Sequence, residues 1–228
     1  MLIALPFMLL GMFISQRLKS KFNKYSKIAL RNGMTGKEVA EKMLYDHGIS
    51  NVEVTCVRGT LTDHYNPTNR TVNLSESVYH GNSAASAAVA AHECGHAIQH
   101  AEAYGPLTLR SKLVPLQNAS GMIMNFVVMA AFIGGYLLYQ AVPVTAIIWT
   151  MIITNGVLAL FSVVTLPVEF DATKRALVWI ENRGIVTQGE LEMSKDALKW
   201  AALTYVVAAL SAIASMVYWI VQLMASRD

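Results

Sequence analysis

Residues 113–168 contain no Asp, Glu, Lys or Arg, and residues 200–226 contain none either. Such stretches leave a chain few options, because a helix that crosses a bilayer needs about 20 apolar residues in a row. The first stretch accommodates two crossing helices with a turn between them, and the second accommodates one. "YQAVP" supplies the turn, since proline disrupts a helix interior but starts a helix well. Spans are expected near 119–141, 144–166 and 201–224. The composition agrees: 54% of residues are hydrophobic and only 14% charged, where a soluble domain carries roughly a quarter charged.

The opening run "MLIALPFMLLGMFIS" is also apolar. Its helix would rise about 22 Å against a bilayer core of about 30 Å. A strongly basic segment, "QRLKSKFNKYSK", follows it. A cleaved leader has the reverse order, charge before apolar run. Residues 1–16 are therefore expected to form an uncleaved anchor with the N-terminus outside, and residues 16–31 a basic helical extension of it. Of the 18 Lys and Arg, 12 lie in 17–118 and five in 167–200. Basic residues stay on the cytoplasmic side, so both polar segments are expected to face the cytoplasm from the inner membrane. The resulting segments are an anchor (1–16), a cytoplasmic segment (17–118), a transmembrane hairpin (119–166), a cytoplasmic helix (167–200) and a C-terminal span (201–224). The net charge of +3 is too small for a nucleic-acid binder. Cys56 and Cys94 are too few for a disulfide framework, which points to a reduced compartment.

Within 17–118, Thr35 and Glu38 form a capping box ahead of a helix whose apolar face is Val39, Met43 and Leu44, with Gly48 ending it. Val52, Val54 and Cys56 alternate with polar residues and read as a strand with Cys56 in its core. Asn66-Pro67 marks a turn before a second short strand, Thr71 to Leu74. A helix begins near Asn82 or Ser83 and runs through "AAVAAHECGHAIQHA".

That helix carries His92-Glu93-Cys94-Gly95-His96. His92 and His96 lie one turn apart and point the same way, so both imidazoles can reach one zinc ion at about 2.0–2.1 Å. Glu93, one residue round, can orient a zinc-activated water as general base without binding the metal. In a chain of this composition the pattern arises by chance about 0.007 times, so it is read as a site. Gly95 costs about 1 kcal/mol inside a helix, which implies close approach by another element. Cys94 points about 200° away from His92 and is read as packing. A catalytic zinc site has three protein ligands and an open position. Glu169 is the better third ligand: it is the first charge after the long uncharged run, where Pro167 is expected to start a helix. His100 sits about 80° round from His92 and is expected at the rim or behind the ligands.

The chain resembles the YugP-like family of bacterial membrane-bound neutral zinc metallopeptidases. The resemblance is carried by "GMTGKEVAEKML", "LTDHYNPTNRTVNLSESVYHG", "AAVAAHECGHAIQHAEAYGPLTLRSKLVP" and "LPVEFDATKRAL", and covers nearly the whole chain. It implies a zinc-dependent endopeptidase anchored in the cytoplasmic membrane and acting on a peptide or protein substrate. There is a looser similarity to the HtpX-type and prenyl-protein membrane gluzincins, which place a glutamate ligand after a membrane hairpin and so support Glu169. Those proteins carry an acidic residue four positions after that glutamate; here Thr173 fills that place and Asp171 stands two after. The fold expected is a mainly α membrane protein, with about four transmembrane helices and a zincin-like cytoplasmic α+β segment of small sheet plus HExxH helix.

On this reading the strand in "RTVNL" pairs with an extended substrate. A cation would stabilise the developing oxyanion; Arg110, Arg175 and His64 are all candidates, and Asp171 and His100 are candidate supports. An intramembrane protease would need a carboxylate ligand inside a later span, and 119–166 holds none. Two other classes remain open. One is a non-catalytic zinc-binding scaffold, although a structural site is usually closed by four protein ligands. The other is a subunit working with a membrane partner or a second copy, with Asn125, Gln140, Asn155 and Gly134-Gly135 as helix-packing positions in the bilayer.

Overall fold

The computed structural model describes residues 4–226, with side chains throughout except at residues 4 and 135–141. The first three residues of the expected anchor and the side chains of Gly135 and Gln140 lie outside the described residues. The elements are α1 (Ala4–Tyr25), α2 (Gly36–Asp46), β1 (Glu53–Val57), β2 (His64–Asn66), β3 (Thr71–Ser75), α3 (Glu76–Tyr79), α4 (Ala84–Ala101), α5 (Gly105–Ala141), α6 (Val144–Asn182) and α7 (Gln188–Ala225). Two compact units result. One holds Met1–Met12, Leu109–Leu166 and Tyr205–Asp228, and the other Phe13–Thr108 and Pro167–Thr204.

The first unit is built from the uncharged stretches. Among the described residues, three helical stretches are long and apolar enough to cross a membrane: Gly105–Gly134, Val144–Asn182 and Gln188–Ala225. Helix α1 is not one of them. Helix α5 changes direction at Gly134, whose φ of −135° and ψ of 35° are not helical. Phe126, Phe132 and Ile133 are largely exposed, as suits side chains that meet lipid tails and not water. Asn155 is buried, and its amide donates to the Met151 carbonyl of its own helix at 2.7 Å. Asn125 is exposed.

The second unit has a conventional core. Both halves of the capping box form: Glu38 N–H donates to Thr35 Oγ1 at 3.3 Å and Thr35 N–H to Glu38 Oε2 at 2.8 Å. Val39, Ala40, Met43 and Leu44 are buried, the stripe expected of a helix with one apolar face. Gly48 follows with φ +68°, a backbone state glycine adopts without penalty. The sheet has order β1-β3-β2, with β1 parallel and β2 antiparallel to β3. Helix α4, capped by Ser83, packs against α2 and the sheet. Its alanines bury it on nearly every side, so other backbones come close.

Four expectations are corrected. Helix α1 stops at Tyr25; the chain then turns, and Leu30 N–H bonds the Asn82 carbonyl at 2.7 Å, because Leu30 is buried in the core there. Pro167 does not start a helix but lies inside α6. A proline removes one helical hydrogen bond, and here buried Val168, Ala172, Ala176 and Ile180 hold the helix in place. Cys56 is exposed on β1, an edge strand covered by one neighbour only. The strand of "RTVNL", β3, is central and paired on both sides, so its backbone has no edge to offer a substrate.

Helices α4 and α6 come close at Gly95, where a Cβ would lie 2.7 Å from the Ala172 carbonyl oxygen of α6. Backbone cannot yield as a flexible side chain would. Gly95→Ala is expected to destabilise this unit by about 1–3 kcal/mol, read as a lowered Tm of the purified protein; an unchanged Tm would show that the helices separate freely.

Candidate metal centre

Helix α4 presents His92 and His96 from successive turns, with ring centroids 4.9 Å apart. Helix α6 presents Glu169, 2% exposed, from the face that also carries Ala172. Glu169 Oε2 lies 3.4 Å from His92 Nε2 and 3.6 Å from His96 Nε2. All three donor atoms fall within 4.8 Å of one another. Donors about 2.0–2.1 Å from a tetrahedral ion stand about 3.3–3.4 Å apart. The spacing, the two neutral-nitrogen donors and the single carboxylate therefore fit a divalent cation such as zinc.

The imidazoles are oriented from behind. His96 Nδ1 lies 3.0 Å from Gln99 Oε1. Gln99 is fully buried, and its Nε2 donates to the Val168 carbonyl and to Asp171 Oδ2, both at 2.8 Å. Both of those partners are acceptors, so the amide can turn only its oxygen to His96. That oxygen requires a hydrogen on Nδ1 and leaves Nε2 to face Glu169. Asp171 is held in turn by Arg175, which also pairs with Glu102 at 2.7 Å. His92 Nδ1 lies 3.2 Å from Thr173 Oγ1. Burial alone would lower the affinity of His96 for a proton, but the adjacent Glu169 carboxylate outweighs it and raises the imidazole above its ordinary value. A cation seated among the three donors would take the place of that proton.

Glu93 is buried and outside the trio. Its Oε2 accepts from the Tyr65 backbone N–H of β2 at 3.0 Å, so an edge strand lies against the residue between the two histidines. His100 stands apart: its Nδ1 is 2.7 Å from the Tyr65 hydroxyl. His64 is exposed, with Nδ1 2.8 Å from the Thr62 carbonyl. The Arg175 guanidinium is committed to two carboxylates and lies over the Tyr104 ring. Arg110 belongs to the other unit. Cys94 points away, with Sγ 3.5 Å from the Ala40 carbonyl, and burial pushes its thiol well above the usual range. Sequence reasoning missed Gln99 and Tyr65. Gln99 had a local signal, three residues after His96 on one helix face. Tyr65 had none, because its contact depends on how β2 pairs.

The chain matches the family described as "Putative neutral zinc metallopeptidase" along residues 1–224, and it belongs to that family. It is 43% identical over 213 residues to the "Putative membrane protease YugP" of Bacillus subtilis (strain 168), an alignment covering 93% of this chain and 91% of that protein. No solved structure matches it.

Gln99→Leu keeps the bulk and removes the amide. Metal affinity, measured by competition with a chelator, is expected to fall about 10- to 100-fold; unchanged affinity would show that the amide does not orient His96.

Proposed function

We propose that this protein is a membrane-anchored zinc-dependent endopeptidase of the gluzincin type. His92, His96 and Glu169 are its metal ligands and Glu93 its general base. The observation that carries the reading is the convergence of three donors, the carboxylate oxygen 3.4 and 3.6 Å from the two imidazole nitrogens, beside a buried carboxylate that is not one of them. A closed structural site would use four protein donors, and the trio leaves a position for a reactant. Zinc, when bound, supplies Lewis acidity that brings the pKa of water toward about 7 and polarises a peptide carbonyl.

The residues divide the remaining work. Gln99 and Thr173 fix the imidazoles so that Nε2 faces the metal position. Glu93 accepts the water proton and delivers it to the leaving amine. The Tyr65 N–H holds the Glu93 carboxylate beside the histidines until then. Because β3 is paired on both sides, the pairing edge for an extended substrate is assigned to β2, whose Tyr65 N–H already points to the site. His64, on that strand, is a candidate for the oxyanion, whereas Arg175 is committed to two carboxylates.

The helix α1 anchor would be a fourth span beside the three apolar helices, with the catalytic unit on the cytoplasmic face of the inner membrane. The distribution of lysine and arginine supports this orientation, and likeness to a Bacillus protein named as a membrane protease supports a membrane location. Bilayer lipid and a peptide or protein substrate are the partners this requires; exposed Asn125 is a position where a second membrane helix would dock.

Glu93→Gln is expected to retain one zinc per chain by elemental analysis while cleavage of β-casein in detergent falls at least about 100-fold. Cleavage at the wild-type rate would remove Glu93 from the chemistry. Orientation is tested through Cys56, which is exposed while Cys94 is buried. A membrane-impermeant maleimide is expected to label inverted vesicles and to spare intact spheroplasts; the opposite pattern would reverse the topology.

A further inference from the structure

An open cavity of about 380 Å³ lies on the second unit, between residues 48–52, β2 with the turn that follows it, and the end of α4. Ile49, Val52 and Ala97 give it apolar walls, and Tyr65, Arg70 and His100 give it polar ones. No Asp or Glu lines it. The only fixed charge on its walls is therefore the guanidinium of Arg70, close enough to oppose the effect of burial on the Tyr65 phenol. The Tyr65 hydroxyl and His100 Nδ1, 2.7 Å apart, stand on the same wall.

The cavity adjoins the metal centre through shared residues. Tyr65 gives its backbone N–H to Glu93 and its side chain to the cavity. On α4, Ala97 and His100 follow Glu93 by about one and two turns on the same face, about 6 and 10 Å along the axis. An extended peptide advances about 3.3 Å per residue. A peptide laid past Glu93 would thus bring a side chain two or three residues from the attacked bond over this cavity.

The backbone at Arg70 adds a second observation. Its φ is +55°, a left-handed state that suits Gly or Asn and costs a residue with a Cβ about 1–2 kcal/mol. Arg70 also ends the turn that feeds β3, and its carbonyl accepts from Glu53 N–H at 3.0 Å. Leu61 and Ala103 share this backbone state, but among these three residues Arg70 alone lines the cavity, where it brings a cationic side chain to walls without acids.

We propose that this cavity is a substrate subsite that takes a carboxylate against Arg70, supplied by a Glu or Asp side chain or by the C-terminus of the substrate. The proposal rests on the endopeptidase reading for its place in catalysis, but the binding it describes can be measured alone. The test uses the full-length Glu93→Gln protein with zinc in nanodiscs and fluorescence anisotropy of labelled decapeptides. One set carries a Glu moved through successive positions with an amidated C-terminus. A second carries Gln in place of Glu with a free C-terminal carboxylate, and a third carries Gln and an amidated end.

At least one peptide of the first two sets is expected to bind about tenfold more tightly than the third, the scale of a hydrogen bond to a charged group. Which set it belongs to names the source of the carboxylate. Arg70→Gln is expected to erase the preference and Arg70→Glu to transfer it to a Lys peptide; Tyr65→Phe, which leaves the left-handed backbone untouched, is expected to weaken it about threefold. Equal binding of all sets, no binding at all, or a preference that survives both Arg70 substitutions would overturn the proposal. Casein cleavage by the wild-type protein is read in parallel. Cleavage without carboxylate preference sinks the subsite alone, and preference without cleavage leaves the subsite and sinks the peptidase reading.

Discussion

Two helix backbones meet where Gly95 of α4 faces Ala172 of α6, and the convergence of His92, His96 and Glu169 depends on that contact. The histidines stand on either side of Gly95, and Glu169 stands three residues before Ala172, on the same face of its helix. Any side chain at 95 would push α6 outward and carry Glu169 away from both Nε2 atoms. The alanines that surround His92 serve the same end. They give up apolar area that larger residues would bury, and in return other backbones approach α4 closely enough for short side chains to converge.

Electrostatic order spreads outward from this contact. Glu169 lies buried among imidazoles, a place where an isolated carboxylate would be costly. Behind His96 the sequence Gln99, Asp171, Arg175, Glu102 alternates donor and acceptor until it reaches solvent. The surface ion pair at its end contributes little stability by itself. Its role is directional: it keeps Asp171 an acceptor, and each group inward then has one allowed orientation. Thr173 gives His92 a shorter support, a hydroxyl instead of a carboxylate relay. His92 is thus fixed directly from α6, and His96 through Gln99 of its own helix, which α6 in turn anchors; α6 also donates the carboxylate.

What could be read from the sequence was local or compositional. The capping box of Thr35 and Glu38, the helix end at Gly48 and the matched direction of His92 and His96 all follow from spacing within a few residues. Glu169 stands out because charge is scarce: after 56 uncharged residues, the next acidic side chain is conspicuous, and it lies beside both histidines. The readings that failed needed knowledge of neighbours. The pairing of β3 on both sides, the exposure of Cys56 and the end of α1 at Tyr25 are decided by packing partners far along the chain. Pro167 misled for a related reason, since its helix-breaking tendency is a property of isolated helices and α6 is held by a buried face. Asp171 was one of several candidate supports for the site. It acts through Gln99, because two residues along a helix turns a side chain about 200°, off the face that Glu169 and Thr173 share.

The separation of the ligands along the chain has a consequence in time. Two of the three donors are made early, and the third follows only after the uncharged hairpin has been synthesised. At about 5–20 residues per second, a ribosome takes several seconds to travel from His96 to Glu169. Throughout that interval the nascent polypeptide carries the histidine pair without its carboxylate, so the candidate metal position stays incomplete until the long uncharged stretch has been made.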